Sequence, residues 1–327
     1  MIKKPEQFPE NNYFIHKPVL INEVIEYLNI RPKLTYLDLT CGLGGHLQAI
    51  SQKLSDCNGL TNHNLIGIDQ DTQALAYAKT RLPDNVILKH GNFRYLNQLL
   101  NDLKIPQIDG GILVDLGVSS YQLANPDRGF SFEKSGPLDM RMDLNQSLTA
   151  QTIVNDYTEF NLARIIYEYG EEILSRAIAK AIVKARPLYT TTDLALIIQN
   201  CYLAKYGSGY RQKFKINPAT KTFQAIRIEV NQELIAIKEM LSAAITLLAP
   251  KARMVVISFH GLEDILVKHF FRQAKMHKNK YPNDNLKLAT QAALFQNLTP
   301  KPIQSSQKEI LANTRARSAK LRAIEKI

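Results

Sequence analysis

The stretch YLDLTCGLGGH, residues 36 to 46, joins an apolar strand pattern to a glycine-rich turn and ends at a histidine. Strands buried on both faces of a parallel sheet are continuous apolar runs, and Tyr36 to Leu39 has this character. Gly42, Gly44 and Gly45 follow, and the helix-like segment GHLQAISQKL comes next. Glycines between a strand and a helix let a ligand approach the backbone. The stretch therefore predicts a site for a nucleotide-like cofactor, with a simple tight turn as the alternative.

Four more apolar runs resemble strands buried on both faces, and helix-sized segments separate the first of them. They are NLIGID (64–69), NVILKHG (85–91), GGILVDL (110–116) and RMVVISF (253–259). Strands that alternate with helices predict an α/β fold with a parallel, Rossmann-like sheet covered by helices on both faces. From about residue 126 to 220 the chain has helical patterns and no strand pattern. We therefore expect a discontinuous sheet domain, residues 1–124 and 221–327, and a helical insert, residues 125–220.

The identity of the cofactor is indicated by the spacing around the glycines. Asp69 ends the second strand, where an acid accepts hydrogen bonds from ribose hydroxyls in nucleotide-binding units. A dinucleotide fingerprint requires a third glycine at position 47, which is Leu47. The spacing Asp-x-x-x-Gly-x-Gly-Gly, from Asp38 to Gly45, instead resembles the first motif of S-adenosylmethionine-dependent methyltransferases. Phe93, in the segment GNF, is then an aromatic residue available to adenine.

Charge is unevenly distributed along the chain. The net charge is +11, and residues 251–327 hold 15 Lys and Arg against 5 Asp and Glu. A second basic window has no acid between Asp193 and Glu229; it contains Lys205, Arg211, Lys213, Lys215, Lys221 and Arg227. One basic run is commonly only a solvated surface, but two favour a polyanionic partner, and nucleic acid is the commonest.

Cysteines and hydropathy indicate the cellular environment. The three cysteines, Cys41, Cys57 and Cys201, form no Cys-x-x-Cys pair, so no metal site is predicted from them. Few, unpaired cysteines favour reduced thiols in a cytosol. The N-terminal residues lack the apolar core of a signal peptide, and no apolar run has the length of a membrane helix. We therefore expect a cytoplasmic protein without a membrane anchor.

Longer blocks make the resemblance specific. HKPVL, DLTCGLGGH, GIDQD, GNF, DLGVSSYQL, RGFSF, GPLDMRMD, KTFQAIRIEVNQEL, VISFHGLED and RARSAKLRAIEK occur in the order typical of one family. The chain is thereby similar to the bacterial 16S (small-subunit) rRNA cytosine-N4 methyltransferases from residue 16 to residue 326. Two positions depart from the family pattern, since Gly261 replaces a serine and Thr314 replaces a proline.

The resemblance carries definite expectations. It implies a class I methyltransferase sheet with an inserted helical domain that recognises the substrate, S-adenosyl-L-methionine as cofactor and small-subunit rRNA, within the 30S particle, as partner. A homodimer is a further expectation. Residue by residue, the family's cofactor contacts fall on Gly44, Gly45, His46, Asp69, Phe93, Asp115 and Gln122.

The chemistry of the acceptor indicates which residues act on it. The N4 lone pair of cytosine is delocalised into the ring, so an acceptor for its N–H favours attack. Asp115, Ser119 and Ser120 in DLGVSS are the candidates, with Asp115 also organising the cofactor. A strong general base is unnecessary, because the sulfonium is a good leaving group and alignment is the main task.

Several interpretations stay open at this point. The loop DMRMD is held by Arg141 paired with Asp139 or Asp143, or else it enters the active site. In TFQAIRIEVNQEL the apolar stripe belongs to the core, and the opposite face, with Lys221, Gln224, Arg227 and Asn231, is a candidate RNA contact. The C-terminal SAKLRAIEKI alternates like an edge strand, which would present Arg315 and Arg317 near the catalytic face as candidate phosphate contacts.

Other functions are compatible with these residues. A methyltransferase acting on DNA or protein would keep the same cofactor site. A non-enzymatic, basic RNA-binding assembly factor would keep the charge without turnover.

Overall fold

The computed structural model describes residues 18–61, 64–214, 216–275 and 295–327. The first two residues of the HKPVL block, His16 and Lys17, and Lys215 of the basic window lie outside the described residues. Among the described residues, no helix has the length and apolar character needed to cross a membrane.

One sheet forms the centre of the fold, and its strands follow the apolar runs of the sequence. The strands are β1 Tyr36–Asp38, β2 Leu65–Asp69, β3 Ile87–His90, β4 Gly111–Asp115, β5 Arg253–Ser258, β6 Phe295–Asn297, β7 Ile303–Gln304 and β8 Lys320–Lys326. Their order is β3-β2-β1-β4-β5-β8-β6, and β7 also pairs with β8. The first five strands are parallel, and β8 runs antiparallel to β5. This is the Rossmann-like α/β sheet that the sequence predicts.

Helices cover both faces of the sheet and build the insert. They are α1 Ile21–Leu28, α2 Gly45–Asp56, α3 Thr72–Lys79, α4 Leu96–Asp102, α5 Ser120–Ala124, α6 Ala150–Asp156, α7 Glu159–Gly170, α8 Ser175–Ala185, α9 Thr191–Tyr206, α10 Tyr210–Lys213, α11 Ala219–Asn231, α12 Glu233–Leu247, α13 Gly261–Lys275 and α14 Gln307–Ala312. Helices α1, α2 and α3 pack on one face of the sheet, and α4, α12 and α13 pack on the other. Successive residues of β4 point to opposite faces of the sheet. Leu113 packs in the core beneath α1, α2 and α3, whereas Ile112 and Val114 pack in the core beneath α4, α12 and α13.

Two expectations about strands were wrong. The run at 85–91 was expected to be buried on both faces, but β3 is the edge strand and its residues are only partly buried. Conversely, the C-terminal strand was expected at an edge. It is β8, and it lies between β5 and the short strands β6 and β7, with Leu321 to Ile324 buried. A two- or three-residue strand carries too little pattern to be found in the sequence.

The helical region has a hydrophobic core of its own. Buried apolar residues from Phe130 to Val230 form one cluster, and α11 contributes to it. Glu171, in the left-handed conformation, ends α7, and the Thr190 side chain caps α9 by accepting a hydrogen bond from the Asp193 N–H. The division of the chain at residues 125 and 220 stays a prediction.

A close approach of α7 and α11 gives a test of this packing. A β-carbon at Gly170 would lie 2.6 Å from the backbone carbonyl oxygen of Lys221, so Gly170→Ala must push the two helices apart. We expect it to lower the free energy of unfolding by about 1–3 kcal/mol, the usual cost of overpacking. Gly209→Ala is the control, because a β-carbon there meets nothing within 4 Å. Urea denaturation of both variants measures the difference, and equal stabilities would contradict this account of the interface.

Candidate active site

Three acidic residues lie together at the carboxyl ends of the central parallel strands. Asp38 ends β1, Asp69 ends β2 and Asp115 ends β4. A cavity of about 270 Å³ opens there, and Asp69 and Asp115 line it. Its size is near the lower end of small-molecule sites, which start at roughly 300 Å³. The position is also where open α/β sheets bind their ligands.

The glycine turn shapes the wall of this cavity. Gly42 has φ +52°, lines the cavity, and a β-carbon there would meet only the Thr40 carbonyl oxygen, at 3.8 Å. Gly45 also lines the cavity, but its missing β-carbon makes room for Pro18, which would be 2.7 Å away. Gly44, with φ +81°, packs toward Leu82 instead. Gly42, which the carried-over residues omit, therefore presents open backbone to the cavity.

Asp69 is fixed by backbone N–H groups. Its Oδ2 accepts a hydrogen bond from Gly42 N at 2.7 Å, and its Oδ1 accepts one from Asp71 N at 2.8 Å. Burial raises the pKa of Asp69 to about 6, against the opposing effect of these N–H donors. Each oxygen keeps a lone pair for a further donor. The carboxylate is thus oriented to accept ligand hydroxyl groups beside the glycine turn.

Asp38 and Asp115 carry acceptor atoms without a partner. Asp38 Oδ2 and Asp115 Oδ1 are buried and accept no hydrogen bond from any residue that the structure describes. Burial, together with the charge of Asp69, raises the pKa of Asp38 to about 7, although Thr40 donates to it. Burial and the neighbouring charges of Asp38 and Glu263 raise the pKa of Asp115 well above its ordinary value. Asp115 lines the cavity, whereas Asp38 is buried and not part of its wall. Neither has a Lys or Arg partner among the described residues, so a nearby cationic ligand would stabilise their ionised forms.

His46 is a neutral side chain at the start of α2. Its Nε2 lies 2.9 Å from the Val19 carbonyl oxygen, and its Nδ1 lies 3.7 Å from Asp115 Oδ2. Burial lowers the pKa of His46 to about 4. Because a carbonyl can only accept, Nε2 carries the proton and Nδ1 presents a lone pair to Asp115. His46 thus lines the cavity without adding charge to it.

The remaining predicted residues lie around the same cavity. Phe93 follows β3 in a short 3₁₀ helix and lines the cavity with Gly91. Ser119 caps α5 by accepting from Gln122 N at 3.2 Å, and the Gln122 side chain accepts in return from Ser119 N at 3.0 Å. Ser120 lines the cavity as well. The structure therefore brings the sequence-predicted residues together around one cavity, with Gly44 just behind its wall.

A buried ion pair under the site was missed in the sequence. Arg128 Nη1 lies 2.7 Å from Asp71 Oδ2, and both side chains are almost fully buried. Gln122 donates to the same Asp71 oxygen at 2.9 Å, while Arg128 Nη2 donates to the Met142 carbonyl oxygen at 3.1 Å. The pair joins β2 to the loop 125–143. The two residues are 57 positions apart in the sequence, so no local pattern could predict their pairing. Their only signal in the sequence is that they belong to the GIDQD and RGFSF blocks.

The loop DMRMD combines both of its proposed roles. Arg141 makes a bidentate pair with Asp139, at 2.9 and 2.8 Å, and also donates to the Leu144 carbonyl oxygen. The next residue, Met142, lines the cavity. An internally held loop therefore forms one wall of the site.

The predicted RNA-contact face of α11 is used inside the protein. Arg227 pairs with Glu233 through two hydrogen bonds of 2.8 Å. Asn231 donates to the Met140 carbonyl oxygen at 2.8 Å and accepts from Met142 N. Lys221 and Gln224 likewise donate to backbone carbonyls of the segment that follows α7 and of α7 itself. These side chains therefore have partners within the protein, and an RNA contact of this face stays a prediction.

Three side chains with possible metal-ligating atoms lie at the Arg227–Glu233 pair, and Glu233 is one of them. Glu233, His260 and Glu263 place one ligand atom each within 4.8 Å of one another. Arg227 already neutralises Glu233. Burial alone would raise the pKa of Glu263, but His260 and Arg227 lower it below its ordinary value. Glu263 Oε2 also accepts from Phe259 N at 2.8 Å, at the start of α13. Glu233, Glu263 and Arg227 line the cavity, whereas His260 does not.

The local packing accommodates either residue at position 261, where glycine replaces the serine of the family pattern. Gly261 begins α13, and a β-carbon there would meet nothing within 4 Å. A serine would therefore fit at this position.

Comparison with known proteins gives a consistent result. The MraW methylase family matches residues 13–327. Ribosomal RNA small subunit methyltransferase H of Carboxydothermus hydrogenoformans is 45% identical over 321 residues, covering 96% of this chain and 98% of that protein. The protein of the same name from Mycoplasma mycoides subsp. mycoides SC is 44% identical over 315 residues, covering 95% and 99%.

Solved structures align at much lower identity. TrmN from Thermus thermophilus has 10% identity and a TM-score of 0.40, covering 94% of this chain and 48% of that one. An rRNA methylase from Streptococcus thermophilus has 11% identity and a TM-score of 0.37, covering 96% and 98%. The family match over nearly the whole chain and the 45% identity to a full-length relative decide the question: the chain belongs to the MraW methylase family.

Proposed function

We propose that this protein transfers a methyl group from S-adenosyl-L-methionine to the N4 amine of a cytosine in small-subunit rRNA. Support comes from the family and from the names of its relatives, which are small-subunit rRNA methyltransferases. Within the structure, one observation carries the proposal. Partnerless carboxylate oxygens of Asp38 and Asp115 lie beside a glycine turn and a ribose-type acid, Asp69.

The residues present fit this cofactor. Its amino-acid end carries an ammonium group and its sulfur is a cation, so both suit the uncompensated acids Asp38 and Asp115. Asp69 would accept the ribose hydroxyls, and Phe93 would contact adenine. The approach to the backbone is at Gly42. Bound there, S-adenosylmethionine supplies a methyl group activated by a positively charged sulfur.

The chain's own residues would then align and polarise the acceptor. Asp115 Oδ1 is a free acceptor for an N4–H, and a cation bound next to it favours its ionised form. Its raised pKa also makes Oδ1 a suitable acceptor for the proton that N4 releases after methylation. Ser120 lines the cavity as a second candidate acceptor, whereas Ser119 is engaged in capping α5. Closure of the site by the 139–143 loop limits water.

The physical form of the substrate is part of the proposal. We place the target cytosine within the 30S particle, where the base must be turned out of its stack to enter a cavity of this size. A cytoplasmic location follows from such a substrate. A homodimer stays a prediction that sedimentation would test.

The ribose assignment is tested with Asp69→Ala. A hydrogen bond to a charged group contributes roughly 1.5–3 kcal/mol, so we expect cofactor affinity to fall at least about tenfold. Isothermal titration with S-adenosylhomocysteine measures it, and Asp84→Ala, at an exposed position, is the control. Unchanged affinity in Asp69→Ala would remove Asp69 from the site.

The acid cluster predicts a pH dependence of cofactor binding. Raised pKa values, about 7 for Asp38 and about 6 for Asp69, mean that these groups hold protons in the free protein at mildly acidic pH. A cationic ligand binds the ionised forms, so its affinity should fall as the pH is lowered from 8 to 5.5.

The folding stability of the cofactor-free protein should change with pH in the opposite direction to the affinity. The cofactor-free protein should lose stability as the pH rises through this window, because the unfolded chain binds fewer protons there.

Titration calorimetry with S-adenosylmethionine across this range checks the first effect, and Asp38→Asn should flatten the profile. Affinity that is constant from pH 8 to 5.5 would contradict the cation site.

The reaction is tested by transfer of labelled methyl groups to small ribosomal subunits from a strain that lacks this gene. Deproteinised rRNA, DNA and protein extract are assayed in parallel. We expect N4-methylcytidine by nucleoside mass spectrometry, and only with subunits. Label in DNA or protein would keep the cofactor assignment and overturn the acceptor, and cofactor binding without any transfer would favour a non-enzymatic role.

A further inference from the structure

The turn before the last strand places one arginine at the cofactor cavity. A short 3₁₀ helix, Thr314–Ser318, lies between α14 and β8, and the Asn313 side chain caps it by accepting from Arg315 N at 3.2 Å. The first residue of β8, Lys320, pairs with Ser258 at the carboxyl end of β5. The turn therefore lies at the carboxyl ends of the parallel strands, as do the acidic residues of the site. Arg315 and Ser318 line the cavity.

Among the residues that the structure describes, the guanidinium of Arg315 has no salt-bridge partner, and its buried Nη1 has no hydrogen-bond partner. By contrast, Arg227 on the cavity wall is paired with Glu233, and Arg128 beneath the site is paired with Asp71. The Glu133 carboxylate influences Arg315 only through its charge, and burial lowers the pKa of the guanidinium. A bound anion would remove this cost of burying an unpaired cation.

The position of Arg315 across the sheet indicates which anion it meets. The groups suited to the cofactor, Asp69, Phe93 and the glycine turn, lie at the ends of β1, β2 and β3. Arg315 lies on the other side of Asp115, by β5 and β8, because the strand order is β3-β2-β1-β4-β5-β8. A cofactor bound on the first side leaves this second side to the acceptor. In a nucleic-acid acceptor the anionic groups are backbone phosphates.

We propose that Arg315 binds a backbone phosphate adjacent to the target cytosine and thereby positions the nucleotide for methyl transfer. The inference rests on the proposed function and adds the RNA backbone contact of the same site. An arginine suits this task, since its planar guanidinium can donate two parallel hydrogen bonds to a phosphate and remains charged. Such a contact fixes register without reading sequence. The buried neighbour Ala316 anchors the turn, so the guanidinium is held rather than free in solvent.

The chain offers a matched control two residues away. Arg317 belongs to the same turn and carries the same charge, but it is exposed and does not line the cavity. Comparison of Arg315→Ala with Arg317→Ala therefore separates a specific contact from a general loss of basic charge. Arg315→Gln keeps most of the side-chain volume and guards against misfolding, and Arg315→Lys keeps the charge but loses the bidentate geometry.

The experiment measures three quantities for each variant. They are the KM for small ribosomal subunits from a strain lacking this gene, the equilibrium binding of those subunits at several salt concentrations, and the affinity for S-adenosylhomocysteine. For Arg315→Ala and Arg315→Gln we expect subunit KM to rise at least about tenfold and the salt slope of binding to fall by about one. S-adenosylhomocysteine affinity should stay within about twofold. Arg315→Lys should be intermediate, and Arg317→Ala should remain close to wild type in KM.

Two results would overturn the inference. Weaker S-adenosylhomocysteine binding with unchanged subunit binding would mean that Arg315 holds the carboxylate of the cofactor. Equal effects of the Arg315 and Arg317 substitutions would mean a diffuse basic surface. Failure of the proposed function is distinguishable, because the wild-type protein would then bind subunits without methylating them, and the binding comparison would still decide the role of Arg315.

Discussion

Three wholly or partly buried carboxyl groups at the carboxyl ends of parallel strands, without a Lys or Arg partner among the described residues, are the constraint on which this structure depends. Asp38, Asp69 and Asp115 are brought together because β1, β2 and β4 are neighbours in one parallel sheet. Burial raises the pKa values of all three. Such an arrangement costs folding free energy unless a cation enters, and enzymes accept that cost at functional sites. The cavity beside these acids is thus prepared for a positively charged cofactor.

The helical insert is joined to this edge by polar contacts that are themselves buried. The Arg128–Asp71 pair connects the loop after α5 to the end of β2, and Asn231 connects α11 to the loop that carries Met142. Buried charges of this kind stabilise little by comparison with apolar packing, but removing one partner is costly. Their consequence is geometric: they fix a wall of the cavity that the sheet alone would leave open.

Much of the architecture was readable from local pattern, and the misses have physical reasons. Continuous apolar runs identified five strands, since buried parallel strands need them. β6 and β7 escaped because two or three residues carry no period, and β8 was therefore misplaced at an edge. The polar face of α11 was interpreted as an RNA contact, because a sequence shows that a residue is polar and not which partner it meets. Arg227 meets Glu233, six residues on, in the neighbouring helix.

The sequence by itself determined the fold class, the glycine turn, the ribose-type acid and the family, because these depend on short-range spacing. Tertiary structure decided which glycine lines the cavity and which charges remain unpaired among the described residues. Gly42 faces the cavity while Gly44 packs against Leu82, although both have positive φ. Arg315 is left without a partner and Arg317 is exposed, although they are two residues apart. Pairing of charges depends on distances between chain segments far apart in sequence, and only folding sets those distances.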